Sequence, residues 1–173
     1  MDCFYIGRLS GTKGVVWQYT AIDVASSSTW AELRVTPRNP SAQWTSALAH
    51  RVAGELAKKR WKLEAVITDN ASEFRSKDFN RTLTEVQAKH IYIRAGRPQS
   101  NGCVERVQQT LLEECWKPAF ARYLIPKYTG LQRDLVQELG LYNSDRIPQG
   151  RRIKGMTPEQ AINNRKLWIS NPQ

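Results

Sequence analysis

Two histidines and three cysteines are all that this chain of 173 residues sets aside for zinc or thiol chemistry. Cys3, Cys103 and Cys115 are odd in number and widely spaced, which excludes a disulfide framework and points to a reducing compartment. With His50 and His90 as its complete histidine set, the chain has no zinc-finger spacing. Long apolar runs are also missing. None approaches the roughly 18–20 residues that span a bilayer, and no signal peptide precedes the first acid, so the expectation is a soluble intracellular protein with no membrane partner. Acids are scarce as well: 16 Asp and Glu against 26 Lys and Arg leave a net charge of +10. Such an excess favours a polyanionic partner through counterion release. From Lys117 to the end the chain has 10 basic and 4 acidic residues, a concentration that favours a contact surface over charge kept for solubility alone.

A hydrophobic share of 40% is ordinary, and the length suits one domain with a core large enough for a sheet covered by helices. Met1 to Leu9 reads as a short strand, Ser10 to Gly14 as a turn, Val15 to Val24 as a second strand and Thr29 to Val35 as a third. Three strands joined by short turns suggest an antiparallel meander. Asn39 followed by Pro40 predicts a helix start with Asn as cap and Pro at the first helical position. Trp44, Leu48, Val52 and Leu56 then form one apolar stripe, and Lys58-Lys59-Arg60 closes the helix. Leu63 to Thr68 is the fourth strand. A right-handed crossover from the meander lays it parallel beside the first, putting Asp2 next to Asp69. Lys77 to Glu85 is a shorter helix and Lys89 to Arg94 a fifth strand. Arg94 to Gly102 is a basic loop with Gly and Pro. Beyond it Val104, Val107, Leu111 and Cys115 make the apolar face of a helix that Pro118 is expected to interrupt. Ala119 to Tyr142 continues helical with a break near Pro126 to Gly130, and Thr157 caps a final short helix. Trp17, Trp30, Trp44 and Trp61 read as core.

One stretch carries the chemistry. It opens with Val66-Ile67-Thr68-Asp69-Asn70-Ala71-Ser72-Glu73-Phe74, a β-branched run that ends on an acid and turns. It closes with Arg97-Pro98-Gln99-Ser100-Asn101-Gly102-Cys103-Val104-Glu105-Arg106, where a turn feeds a helix with an acid near its start. Between Asp69 and Glu105 lie 35 residues. An acid at a strand end is commonly a turn residue, and an acid at a helix start commonly answers the helix dipole. The two together, with these neighbours, call for a fold that brings them to one cation, because carboxylates a few Å apart otherwise repel.

The stretch resembles the catalytic core of the retroviral integrase and insertion-sequence transposase superfamily, whose acidic triad ends in an Asp and a Glu at this separation. The likeness extends to the tail, where Tyr142-Asn143-Ser144-Asp145-Arg146 and Thr157-Pro158-Glu159 are similar to the ends of bacterial insertion-sequence transposase cores. It implies a ribonuclease H-like α/β fold: a five-stranded mixed sheet, three strands antiparallel and two parallel, flanked by helices. It implies one integrase-type core domain over residues 1–173, without the DNA-end-recognition domain that such transposases carry upstream, in the cytoplasm of a bacterial cell.

Carried over residue by residue, the likeness makes Asp2, Asp69 and Glu105 the catalytic and metal-binding acids. Asp23 is the competing upstream candidate; the alternative for it is a strand-end residue meeting the amides of Ser26 or Ser27. Three carboxylates with no Lys or His base nearby suit Mg²⁺, with Mn²⁺ able to substitute. The chemistry implied is DNA nicking and strand transfer by in-line phosphoryl transfer. Asn70, Arg94, Arg97, Gln99, Asn101, Arg106, Gln108 and Gln109 are the candidate DNA face. DNA, as mobile-element ends and target, and a second copy of the chain are the partners implied. The competing readings are a catalytically weak DNA-binding or assembly module of the same fold, and a ribonuclease H-type nuclease.

Overall fold

Residues 1–93, 102–148, 153 and 155–164 are described by the computed structural model. Strands β1 (Asp2–Gly7), β2 (Val15–Ile22) and β3 (Thr29–Thr36) form the expected antiparallel meander, with Asp2 opposite Thr20 and Ile22 opposite Thr29. β2 stops at Ile22 because Asp23 turns the chain, its carboxylate accepting from the backbone and hydroxyl of Ser26. The turn between β1 and β2 closes on Gly14, where a Cβ would collide with the Thr36 carbonyl.

The alternation along β2 sorts side chains onto two faces. Tyr19 and Ala21 pack with Leu48, Val52 and Leu56 of α1 (Ala42–Lys58). Val16 faces the other way, toward Val107, Leu111, Trp116, Leu131 and Leu135. These belong to α4 (Gly102–Leu111), the π-helical turn after it (Leu112–Trp116) and α6 (Tyr128–Ser144). Trp30 is buried, and Trp17, Trp44 and Trp61 pack half-buried against the α1 face.

Two helix boundaries differ from the sequence reading. The cap of α1 is Ser41, not Asn39: its Oγ accepts from Gln43 N, and its own N–H donates to the Tyr19 hydroxyl at 2.8 Å. That bond to the sheet fixes where the chain enters the helix, leaving Pro40 outside it. Pro118 does not break the helix either. The π turn ends with Lys117 N bonded to Leu112 O, and Pro118 falls in the first turn of α5 (Lys117–Arg122), where its missing N–H costs little.

β4 (Ala65–Thr68) pairs in parallel with β5 (Lys89–Tyr92). α2 (Ser72–Arg75) and α3 (Lys77–Glu85) lie between them in sequence. Phe74, Phe79 and Leu83 from these helices pack with Val66 and Ala49, and Met1 and Cys3 lean on the same cluster. The five strands thus form two hydrogen-bonded ladders, β1-β2-β3 and β4-β5. Their seam is where the sequence put it: the Met1 ammonium donates to Ile67 O at 2.7 Å, setting the start of β1 against the end of β4. α7 (Pro158–Asn163) closes the fold with a full capping box, Thr157 Oγ1 accepting from Gln160 N and Gln160 Oε1 from Thr157 N. Among the described residues no helix is long and apolar enough to cross a membrane.

Candidate active site

The seam between the ladders carries the first two acids. Asp2, second residue of the chain, is half-buried, and its Oδ1 accepts from Cys3 N at 2.8 Å. Burial pushes its carboxyl above the ordinary aspartate range, and the Asp69 charge pushes the same way. The Cys3 N–H, the Met1 ammonium and the Gln108 side chain pull it back. Asp69 is exposed beyond the end of β4, with Oδ1 accepting from Ala71 N at 3.0 Å in a tight turn.

The turn that holds Asp69 is bracketed by β5. Ile93 N donates to Thr68 O at 2.9 Å, and Asn70 Nδ2 donates to Ile93 O at 3.0 Å. Thr68 Oγ1 lies 2.8 Å from Asp69 O and 2.9 Å from His90 Nε2. Asp69 therefore leaves the strand from a fixed platform, although its own side chain is in solvent.

Glu105 is exposed in the first turn of α4, which docks through Val104, Val107 and Leu111. Gln108 lies three residues on, on the same side of the helix, and its amide approaches Asp2 closely enough to lower that carboxyl's pKa. The approach is poorly aligned, for Gln108 Nε2 is buried without a well-formed hydrogen bond. The structure thus brings Asp2 and Asp69 together and sets Glu105 on the helix that touches Asp2, one turn from the contact. Among the described residues no group of three His, Cys, Asp or Glu side chains stands close enough to hold a metal ion.

The pair nonetheless has the chemistry of a magnesium site. Its donors are hard carboxylate oxygens, and magnesium commonly takes one or two of these and fills its remaining positions with water and phosphate. A half-buried Asp2 near a second acid is the arrangement a cation relieves. Among the described residues neither acid forms an ion pair with a Lys, Arg or His side chain.

The remaining expected residues divide. Asp23 is engaged with Ser26. Asn70 spends its amide on Ile93 O, Gln109 donates to Glu113 at 2.8 Å, Arg106 is exposed on α4, and Gln108 turns inward to Asp2. Arg94, Arg97, Gln99 and Asn101 lie outside the described residues.

Two side chains near the pair had no role in the sequence reading. Glu73 is buried at 8% exposure, accepts from Ser72 Oγ, and faces the Cys3 thiol. Burial, with the charges of Glu73 and Asp2, drives that half-buried thiol's pKa far up, which favours its protonated form. His90 stands behind Thr68, and the period-two pattern of β5 gives no sign of it.

The integrase core domain model matches residues 1–98. No curated protein sequence matches the chain. Among solved structures it is similar to a chain of the simian T-cell lymphotropic virus intasome in complex with PP2A regulatory subunit B56 gamma, with a TM-score of 0.73 at 16% identity, covering 94% of this chain and 52% of that one. It spans about half the length of that viral chain. It is also similar to the HTLV-2 integrase catalytic core domain in complex with magnesium. The trimeric form gives a TM-score of 0.67 at 18% identity, covering 92% of this chain and 91% of that one. The dimeric form gives 0.66 at 17%, covering 93% and 92%. At these identities the structural likeness establishes the ribonuclease H-like fold.

Proposed function

Because the chain belongs to the integrase core domain family, we propose that it is the catalytic core of a transposase or integrase that nicks DNA and joins strands by in-line phosphoryl transfer. The observation that carries this reading is the meeting of Asp2 and Asp69 at the β1–β4 seam, with Asp2 held above the ordinary aspartate range. Asp2 and Asp69 would hold the metal, with Glu105 the third acid offered from α4. A bound magnesium ion, or manganese in its place, supplies Lewis-acid stabilisation of the attacking and leaving oxygens. The chain's own contribution is to position. The bracketed turn aims Asp69, the Cys3 amide fixes Asp2 with the Gln108 side chain close by, and Arg106 beside Glu105 offers its guanidinium to a phosphate. In the exchange, a water or a DNA 3′-hydroxyl gives its proton to solvent water, its oxygen bonds to phosphorus, and the opposite P–O bond breaks, the departing strand's oxygen taking up a proton from solvent. No side chain becomes covalently attached to DNA.

Magnesium-dependent nicking or disintegration of branched DNA tests the reading. Wild-type chain is expected to be active, with Asp69→Asn and Glu105→Gln lowering the rate by more than the ~10–100-fold typical of an outer-shell change. Equal rates in wild type and both variants overturn it. The lack of a three-ligand cluster among the described residues favours a second reading, a DNA-binding or assembly module with weak catalysis. Salt-sensitive DNA binding without nicking at any magnesium concentration would select it. The dimeric and trimeric forms of the HTLV-2 core support self-association of this chain.

A further inference from the structure

His90 is fixed from three sides by groups that have no part in the chemistry above. Phe79 of α3 meets its ring edge-on with centroids 5.3 Å apart, and Tyr92 of β5 lies 4.0 Å from it. Asn80 Oδ1 is 3.1 Å from Nδ1, and Thr68 Oγ1 is 2.9 Å from Nε2. The proton assignment follows from the partners. Asn80 Nδ2 donates to Ser76 O, so Oδ1 faces the ring as an acceptor, and Nδ1 must carry a proton.

At Nε2 two arrangements remain, and both involve the residue before Asp69. With a neutral ring, Nε2 is an acceptor and takes the Thr68 hydroxyl proton. That hydroxyl cannot then donate to Asp69 O, 2.8 Å away. With a protonated ring, Nε2–H donates to Thr68 Oγ1, and the hydroxyl proton turns to Asp69 O. In either state the ring anchors a fully buried Thr68, and with it the direction in which Asp69 leaves β4. The groups packed on the ring are Thr68 from β4, Phe79 and Asn80 from α3 and Tyr92 from β5. Burial lowers the ring's pKa below the ordinary histidine value, and the Met1 amino group at the start of β1 pushes the same way when it is charged, so the neutral arrangement holds at pH 7.

We propose that His90 is a positioning residue for Asp69, acting through the Thr68 hydroxyl, and that the ring's protonation moves that hydroxyl from Nε2 to the Asp69 carbonyl. The proposal rests on the reading of Asp69 as a metal-binding acid; the proton arrangement itself does not.

The tests are arranged so that failure of the two can be told apart. In nitrogen-15 NMR of the intact chain at pH 7.5, His90 is expected in the Nδ1–H tautomer. The Asp69 carbonyl carbon-13 shift is expected to follow the His90 titration, and to lose that step in Thr68→Val. An Nε2–H ring, or an Asp69 carbonyl indifferent to it, overturns the proposal whether or not the chain nicks DNA. Magnesium affinity by calorimetry is the second arm. His90→Phe, which keeps the ring packing but no hydrogen bond, is expected to weaken binding ~10-fold. His90→Gln, whose Oε1 can take the Thr68 proton, should recover most of it. Wild-type affinity in His90→Phe, or equal loss in both variants, also overturns it. A wild-type chain that binds no magnesium while the NMR couplings hold sinks the metal-site reading and leaves the proton arrangement standing.

Discussion

Asn143 does with one side chain what a neighbouring strand would do with its backbone. Its Oδ1 accepts from Thr29 N and its Nδ2 donates to Thr29 O, each at 2.9 Å, tying the end of α6 to the first residue of β3. Three residues on, Arg146 Nη1 donates to both oxygens of Glu114 at 2.7 and 2.6 Å, tying the chain just past that helix to the π turn. Pro158 O accepts from Ser28 Oγ and brings α7 to the same turn of the sheet. The Tyr-Asn-x-x-Arg and Thr-Pro patterns are therefore a clasp around the β2–β3 turn. Removing the amide strands two backbone groups, so Asn143→Ala is expected to lose about 1–3 kcal/mol in urea denaturation. Asn143→Asp, which keeps an acceptor but presents no donor to Thr29 O, should recover little of that loss. Near-wild-type stability in both variants would show the contact to be incidental. The Thr157 cap was legible in the sequence because a capping box is local. The partner of Asn143 was not, because it lies 114 residues away in the chain.

Elements were legible to the degree that their period was long and clean. All five strands, α1, α3 and the apolar face of α4 follow from alternation or from a stripe of aliphatic residues. α2 was missed, since four residues show no period. The π turn was missed because one extra residue in a helical turn leaves composition unchanged while shifting which side chains face inward. That shift matters. It buries Cys115 and Trp116 together and points the Trp116 indole N–H at Gln18 Oε1, 2.7 Å away on β2, while Gln18 Nε2 donates to Thr20 Oγ1. Gln18 is fully buried in the middle of a strand, a position that alternation alone would give to an aliphatic residue. Trp116→Phe should cost about 1–3 kcal/mol beyond the lost ring area, because it leaves Gln18 Oε1 unpaired in the core. Pairing it with Gln18→Leu should return part of that cost and no more, since the unmet Gln18 oxygen is gone but the buried Thr20 hydroxyl loses its donor. A double variant that is only the sum of the two singles would mean that the bond does not couple the π turn to the sheet.

At the scale of the whole molecule, the fold joins two hydrogen-bonded ladders at a seam and puts the acids there. Asp2 and Asp69 meet because the start of β1 lies against the end of β4, and the sequence showed this through its strand–helix–strand order. It did not show that α4 would reach the pair through Gln108 while Glu105 stayed one turn away, because helix rotation is set by packing against β2 and not by the spacing of acids. A site made of acids in a chain of charge +10 needs its basic groups elsewhere. Arg106 stands in solvent one residue past Glu105. If the chain holds DNA by its phosphates, the logarithm of the binding constant should fall linearly with the logarithm of salt concentration, by about 0.9 for each phosphate neutralised on a duplex. Arg106→Gln should then weaken binding by a similar factor on every DNA sequence tested and make that slope shallower by about one. Fluorescence anisotropy over a range of salt concentrations measures both quantities together. An unchanged slope with weaker binding would mean that Arg106 supports α4 and touches no phosphate, and a flat slope for the wild-type chain would remove the backbone contact from the mechanism.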